Sequence, residues 1–192
     1  MEMKKYTLAY RLIHWAIAIS FILLFLTIFL RLTWLNKSNV AGIIGNFIQG
    51  TAGNLTDDEM ISLAKKIREP MWNWHIYLGY ILTVLFAVRF ILAGIGTMKF
   101  QNPADKDLTI KGKFQKWIYL VFYVMVVVSL VTGIMIKKGP VDLKTLMEGI
   151  HKLSIYYLIA FLVLHFGGII LAEFTDQQGI VSRIINGSGK KE

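Results

Sequence analysis

Four histidines, His14, His75, His151 and His165, are the residues of this 192-residue chain whose type and spacing could do chemistry. His151 and His165 are fourteen residues apart in the last long apolar stretch. Fourteen residues are close to four turns of an α-helix, so both imidazoles would project from one face, roughly 21 Å apart along the axis. That distance is most of the hydrocarbon thickness of a bilayer, about 30 Å. The spacing therefore predicts two metal-ligand sites, one near each surface of a membrane.

The composition indicates a membrane protein. Hydrophobic residues make up 55% of the chain and are gathered into long blocks. The net charge is +9, but Lys and Arg lie mostly at the ends of these blocks, so we expect membrane lipid, and no nucleic acid, as a partner. The chain has no cysteine, which excludes disulfides, thiolate-held iron–sulfur clusters and covalent haem attachment within it.

Four apolar stretches are long enough to cross a bilayer, and they predict transmembrane helices over residues 12–32, 74–95, 117–136 and 151–172. The first lacks a signal-peptide cleavage pattern, so we expect it to be retained. The third has no histidine and no charge, and we expect it to pack against its neighbours through Ser129, Thr132 and Gly133. The predicted fold class is an all-α membrane protein, a four-transmembrane-helix bundle forming a single domain over residues 1–192.

The connection over residues 36–72 is too long to be only a turn. Its first half is apolar and Gly-rich, which suits a short interfacial segment. Its second half predicts an amphipathic helix that begins at a capping box of Thr56 and Glu59 and ends at Pro70. Two functions stay open for this helix: it lies on the membrane surface, or it covers a redox site or a docking surface. In the tail, residues 180–185 predict a further short helix.

The distribution of positive charge predicts the orientation in the membrane. Four spans place both termini on one side, and that side carries eleven Lys and Arg against nine on the other, with Arg89 inside a span. The eleven lie in shorter segments, which count more towards orientation. We therefore expect a multi-pass protein of the bacterial inner membrane with cytoplasmic termini and residues 36–72 as an outer loop.

With this topology the histidines match in pairs by depth. His14 and His165 lie at the cytoplasmic ends of their spans, and His75 and His151 lie at the outer ends. Two b-type haems with bis-histidine ligation need this arrangement, because iron takes two axial imidazoles from opposite sides of the porphyrin. Zinc fits less well, since it usually takes three or four protein ligands. Taken singly, each histidine could instead be a polar residue at the membrane surface, but together the four favour a di-haem protein.

Three further residues are candidates for haem binding. Arg89 is the only charge well inside a span, and with Arg11, one turn before His14, it could neutralise the propionates of the inner haem. Alternatively, Arg89 extends to the cytoplasmic surface. Gly79, one turn after His75, would let a macrocycle approach the second helix, or it is a helix-packing glycine.

Five motifs together suggest a known family. They are Arg11-Leu12-Ile13-His14-Trp15, His75 with Gly79 and Arg89, Thr132-Gly133, the spacing of His151 and His165, and Ile184-Ile185-Asn186-Gly187. These motifs resemble the bacterial and Ni-hydrogenase-type cytochrome b561 family of four-span di-haem membrane proteins. The resemblance covers nearly the whole chain apart from the long first loop. One departure is Thr27-Ile28, where relatives often have Thr-Gly.

The resemblance implies that His14 and His165 ligate the inner haem iron and that His75 and His151 ligate the outer one. It implies electron transport in a respiratory chain, between an outer, periplasmic redox partner and the membrane quinone pool. The protein would be a quinone-linked oxidoreductase or its membrane subunit, with the role of anchor for a hydrogenase or another dehydrogenase as the alternative. A haem-free four-helix transporter or structural subunit is a second alternative.

Overall fold

A computed structural model describes residues 6–49, 53–100, 102–175 and 177–187. All regular structure in these ranges is helical. Eight α-helices follow one another, with a 3₁₀ turn at Val141–Leu143 between the fifth and the sixth. They are α1 (Leu8–Leu32), α2 (Lys37–Ile48), α3 (Asp57–Ile67), α4 (Glu69–Gly94), α5 (Ile110–Lys138), α6 (Lys144–Lys152), α7 (Ser154–Phe174) and α8 (Ile180–Ile185).

Four segments of the described chain are long and apolar enough to cross a membrane: Leu8–Leu32, Glu69–Gly94, Ile110–Lys138 and Val141–Phe174. The predicted fold class, an all-α membrane protein with four transmembrane helices, is confirmed. The helices extend beyond the apolar stretches from which they were predicted, because helical hydrogen bonding continues through polar residues at the membrane surface. At one such end, the Thr109 hydroxyl accepts the N–H of Gly112 and caps α5.

The chain forms two compact units. We call Met1–Trp15 with Phe86–Glu192 the terminal unit, and Ala16–Leu85 the middle unit.

In the middle unit, the described part of residues 36–72 contains two short helices. The Gly-rich first half forms α2, which is capped by the Asn36 side chain. The Thr56–Glu59 capping box of α3 is confirmed. The two short helices pack together around Val40, Ala41 and Ala64, whose side chains are buried. This small apolar core gives the connection a defined structure.

Pro70 does not end α3 as predicted. It lies in the first turn of α4, which begins at Glu69. Proline suits that position because the first N–H groups of a helix have no helical acceptor, so the missing donor removes no bond.

The fourth span is not one uninterrupted helix from His151, which corrects the geometry expected from the fourteen-residue spacing. His151 lies on α6, and a turn at Leu153 separates α6 from α7. At this turn the Leu153 N–H donates to Ile150 and the Tyr156 N–H donates to Leu153, both over three residues. Such tight bonding changes the helical phase, so the direction of His151 is set by α6 and the contacts of that helix.

In the terminal unit, hydrogen bonds from other helices hold both ends of α8. The Glu173 carboxylate at the end of α7 accepts the N–H groups of Gly179 and Val181 at 2.8 and 3.2 Å. At the other end of α8, the Trp15 indole donates to the Ile184 carbonyl at 3.2 Å. The predicted helix over residues 180–185 is confirmed, and its position is set by these contacts.

Candidate functional site

His14 on α1 and His165 on α7 face each other in the terminal unit. Their ring centroids are 6.3 Å apart and their planes are inclined by 43°. Aromatic rings surround the pair: His165 stacks on Phe161 at 5.3 Å with an angle of 16°, and the edge of Trp15 meets His14 at 5.7 Å. Two residues far apart in sequence are thus brought together inside an apolar, ring-lined environment.

The separation of the two imidazoles suits one metal ion between them. Imidazoles that bind a metal from opposite sides, each through a bond of about 2 Å, have ring centroids roughly 6 Å apart. The described residues contain no group of three or more His, Cys, Asp or Glu placed to hold a metal ion. The donor set is therefore two neutral nitrogens, which matches the two axial positions that a haem iron leaves to the protein.

The second nitrogen of His165 has a partner on α5. Its Nδ1 lies 3.2 Å from the hydroxyl oxygen of Tyr119. Metal-binding histidines commonly use one nitrogen for the metal and the other for a hydrogen bond that orients the ring. The contact with Tyr119 therefore assigns Nε2 of His165 to the metal side.

The imidazole of His151, on α6, is held against α5. Its Nδ1 is 3.0 Å from the Ser129 carbonyl oxygen and 3.2 Å from the Thr132 hydroxyl. A β-carbon at Gly133 would lie 3.0 Å from Cε1 of the ring, so the imidazole packs directly on this glycine. The third span was expected only to pack; it also orients a candidate ligand.

The Ser129 contact fixes the tautomer of His151. A carbonyl oxygen can only accept a hydrogen bond, so Nδ1 of His151 must carry the proton and donate it. The neutral ring then has its lone pair on Nε2. This is the form in which imidazole binds a metal.

His75, on α4 in the middle unit, is oriented in the same way by Thr27 on α1. Its Nδ1 is 2.8 Å from the Thr27 hydroxyl, which donates its own proton to the Leu24 carbonyl at 2.6 Å. Since that hydroxyl has one proton, it accepts from His75, and Nδ1 is again the protonated nitrogen. The ring also meets Trp72 edge-on at 5.3 Å.

Gly79, one turn after His75, borders open space: a β-carbon there would meet no atom within 4 Å. This is compatible with close approach of a flat group to α4. His75 belongs to the middle unit and His151 to the terminal unit, so their predicted pairing stays a prediction.

Arg11 reaches from α1 to the C-terminal segment. Its guanidinium donates to the Ile185 carbonyl at 3.0 Å and packs on Gly187, where a β-carbon would lie 3.0 Å from Cζ. Its Nε is buried without a partner among the described residues. A buried donor of this kind is costly unless something accepts its hydrogen. The residue therefore suits an anionic group nearby, and its predicted contact with a propionate stays a prediction.

Arg89 is buried in the terminal unit. One nitrogen donates to the Met98 carbonyl at 2.7 Å, and the guanidinium lies over the rings of Phe100 at 4.5 Å and Tyr123 at 5.6 Å. No carboxylate in the described ranges forms an ion pair with it. Arg89 thus holds the segment after α4, and its neutralisation of a propionate stays a prediction.

The sequence matches the family model for prokaryotic cytochrome b561 over residues 5–187, almost the whole chain. The chain belongs to the prokaryotic cytochrome b561 family. It is therefore a multi-pass membrane cytochrome that binds b-type haem and transfers electrons. No curated protein and no solved structure matches this cytochrome.

The residues that the sequence reasoning missed are the hydrogen-bond partners of the histidines: Thr27, Ser129, Thr132 and Tyr119. The sequence does mark Thr27, Ser129 and Thr132, which are polar residues within apolar stretches. Polar residues are uncommon in transmembrane helices and usually have a specific partner there. Which histidine each one contacts depends on how the helices are rotated against each other, and no local pattern contains that information.

Proposed function

We propose that this cytochrome holds two b-type haems and transfers electrons between a redox partner on the outer side of the bacterial inner membrane and the quinone pool. His14 and His165 are the axial ligands of the inner haem, and His75 and His151 those of the outer haem. The observation that carries the proposal is the 6.3 Å separation of the His14 and His165 rings in a member of this family.

The protein's own residues bind and orient. Bound haem supplies the one-electron chemistry of its iron. Thr27, Tyr119 and the Ser129 carbonyl hold the histidine rings so that Nε2 is the nitrogen available for a metal. Arg11 provides positive charge for propionates at the inner site, and the backbone at Gly79 provides room beside α4 at the outer one.

The orientation with cytoplasmic termini rests on the distribution of Lys and Arg. In that orientation α2 and α3 lie on the outer side, where a soluble redox partner would dock. The small core around Ala64 supports this role, because a folded surface can recognise a partner whereas an irregular loop would have to be ordered first.

Haem stoichiometry tests the proposal. Two haems per chain are expected in the purified wild type, and one in His165→Ala and in His75→Ala, because each substitution removes one ligand of a different pair. The double variant should bind none. Absorption of the reduced pyridine complex gives the count, and circular dichroism shows whether each variant is folded. Trp74→Phe, a change at an exposed neighbour of His75, is the control.

Two results would contradict the proposed ligands. One is a single haem per wild-type chain. The other is loss of both haems from a folded single-histidine variant, which would mean that the two pairs are not separate sites.

A further inference from the structure

The two histidines of the fourth span differ in the group that shares their Nδ1 proton. His151 donates to a peptide carbonyl at 3.0 Å, with the Thr132 hydroxyl as a second acceptor at 3.2 Å. The Thr132 hydroxyl can accept because its own proton goes to backbone carbonyls, that of Val128 at 2.8 Å among them. His151 is therefore the donor to two oxygens at once.

His165 has a weaker acceptor. Its Nδ1 contacts the Tyr119 phenol at 3.2 Å, which is at the long end of the range for hydrogen bonds. A phenol oxygen also accepts less readily than a peptide carbonyl, because one of its lone pairs is delocalised into the ring.

His75, the predicted partner ligand of His151, also has a strong acceptor for its Nδ1 proton. His75 donates from Nδ1 to Thr27 at 2.8 Å, and Thr27 donates onward to the Leu24 carbonyl at 2.6 Å. A hydroxyl that is itself donating becomes a better acceptor, because hydrogen bonds in a chain polarise one another. Both candidate ligands of the outer site thus share their Nδ1 proton with a strong acceptor.

Sharing this proton changes the electronic character of the ligand. As the Nδ1–H bond is drawn towards an acceptor, negative charge accumulates on the ring and Nε2 becomes more basic. A more basic ligand stabilises the more positive, oxidised metal, so the reduction potential falls.

From these contacts we infer that the haem held by His151 and His75 has the lower reduction potential of the two, and that Thr27 and Thr132 are positioning residues that lower it. The inference rests on the proposed function, since it requires two haems with the proposed ligands. The order of potentials favours electron movement from the His151 end of the fourth span towards the His165 end. In the proposed orientation this direction runs from an outer electron donor to the inner side.

Redox titration of single-haem variants tests the order directly. The wild type should titrate in two components. His165→Ala retains the haem of His75 and His151 and should titrate at the lower potential, whereas His75→Ala should retain the component at the higher potential. The reverse assignment would overturn the inference. Fewer than two haems in the wild type would instead overturn the proposed function, so the two failures are distinguishable.

Threonine substitutions test the cause. Thr27→Val keeps the shape but removes the acceptor, so the lower component should move to a more positive potential while the higher one stays unchanged. A tenfold change in the preference for the reduced state corresponds to about 59 mV for one electron. Thr27→Ser restores the hydroxyl and should restore the potential. A threonine that acted only by packing would not show this difference between Val and Ser.

Two further variants complete the comparison. Thr132→Val should move the same component less, because the Ser129 carbonyl remains as an acceptor, and Tyr119→Phe should move only the higher component. Movement of the higher component in Thr27→Val, or an unchanged potential in Thr27→Val and Thr132→Val alike, would overturn the role of the threonines.

Discussion

At the scale of single residues, the orientation of a candidate ligand depends on its neighbours more than on its own position in a helix. His151 lies near the end of α6, where helix geometry alone leaves its ring free to turn. The Ser129 carbonyl and the Thr132 hydroxyl fix one edge of the ring, and Gly133 supports its face. The pair Thr132-Gly133, which contributes to the family resemblance, therefore acts by holding this histidine.

Gly133→Ala tests that contact. The new β-carbon would lie 3.0 Å from Cε1 of His151, so the ring would have to move by a few tenths of an ångström. Overpacking of this kind costs about 1–3 kcal/mol. We expect a lower Tm and a changed electron paramagnetic resonance signal for the haem that we propose His151 binds.

Gly149→Ala is the matched control for Gly133→Ala. It lies on α6 close to His151, and its β-carbon would meet no atom within 4 Å. This variant should keep both the Tm and the signal of the wild type. A wild-type signal in Gly133→Ala would show that the glycine does not support the ring.

At the scale of secondary-structure elements, local chemistry explains most boundaries. The N-terminus of α3 is one case: Glu59 accepts hydrogen bonds from the N–H and the hydroxyl of Thr56, each at 2.9 Å, while Thr56 accepts the N–H of Glu59 at 3.3 Å. The turn at Leu153 is a different case. Nothing in the apolar run of residues 153–164 marks a break, and the turn results from three-residue hydrogen bonds between α6 and α7.

The capping box predicts a pH dependence for α3. Hydrogen bonds from the backbone and the side chain of Thr56 lower the pKa of the Glu59 carboxyl below its usual value. The folded pKa is therefore below the unfolded one, so the stabilisation is present above the unfolded pKa and is lost as the pH falls through the folded pKa. We expect amide hydrogen exchange in residues 57–67, corrected for the intrinsic rate, to show less protection at low pH.

Two variants separate the cap from general charge effects. Glu59→Gln should reduce protection of α3 at neutral pH and remove most of its acid dependence. Asp58→Asn makes the same change of charge in the same turn, but Asp58 is not part of the capping box. If Asp58→Asn behaved like Glu59→Gln, the helix dipole rather than the capping box would explain the pH dependence.

At the scale of the whole molecule, the described part of this cytochrome has four segments long and apolar enough to cross a membrane. A free-standing quinone-linked oxidoreductase and the membrane subunit of a dehydrogenase remain the two candidate roles. They differ in whether the isolated chain reacts with quinol.

Anaerobic mixing of the oxidised, purified protein with a short-chain quinol separates these roles. For the free-standing role we expect haem reduction within the first seconds, seen as growth of the reduced absorption bands, and a slower reaction in His165→Ala, which lacks the proposed inner haem. No reduction of the isolated chain, together with copurification of a dehydrogenase from gently solubilised membranes, would favour the membrane-subunit role.

The sequence by itself determined the membrane class, the four spans, the capping box and the four histidines, because hydropathy, helix caps and residue type are local properties. From the positions of His14 and His165 in their spans, the sequence predicted only that the two residues lie at the same depth in the membrane. The tertiary structure decided that the two rings are 6.3 Å apart, that His151 lies on α6 and not α7, and that Thr27, Ser129, Thr132 and Tyr119 contact the histidines. These features depend on the rotation and packing of helices distant in sequence, which the local pattern of any one helix leaves open.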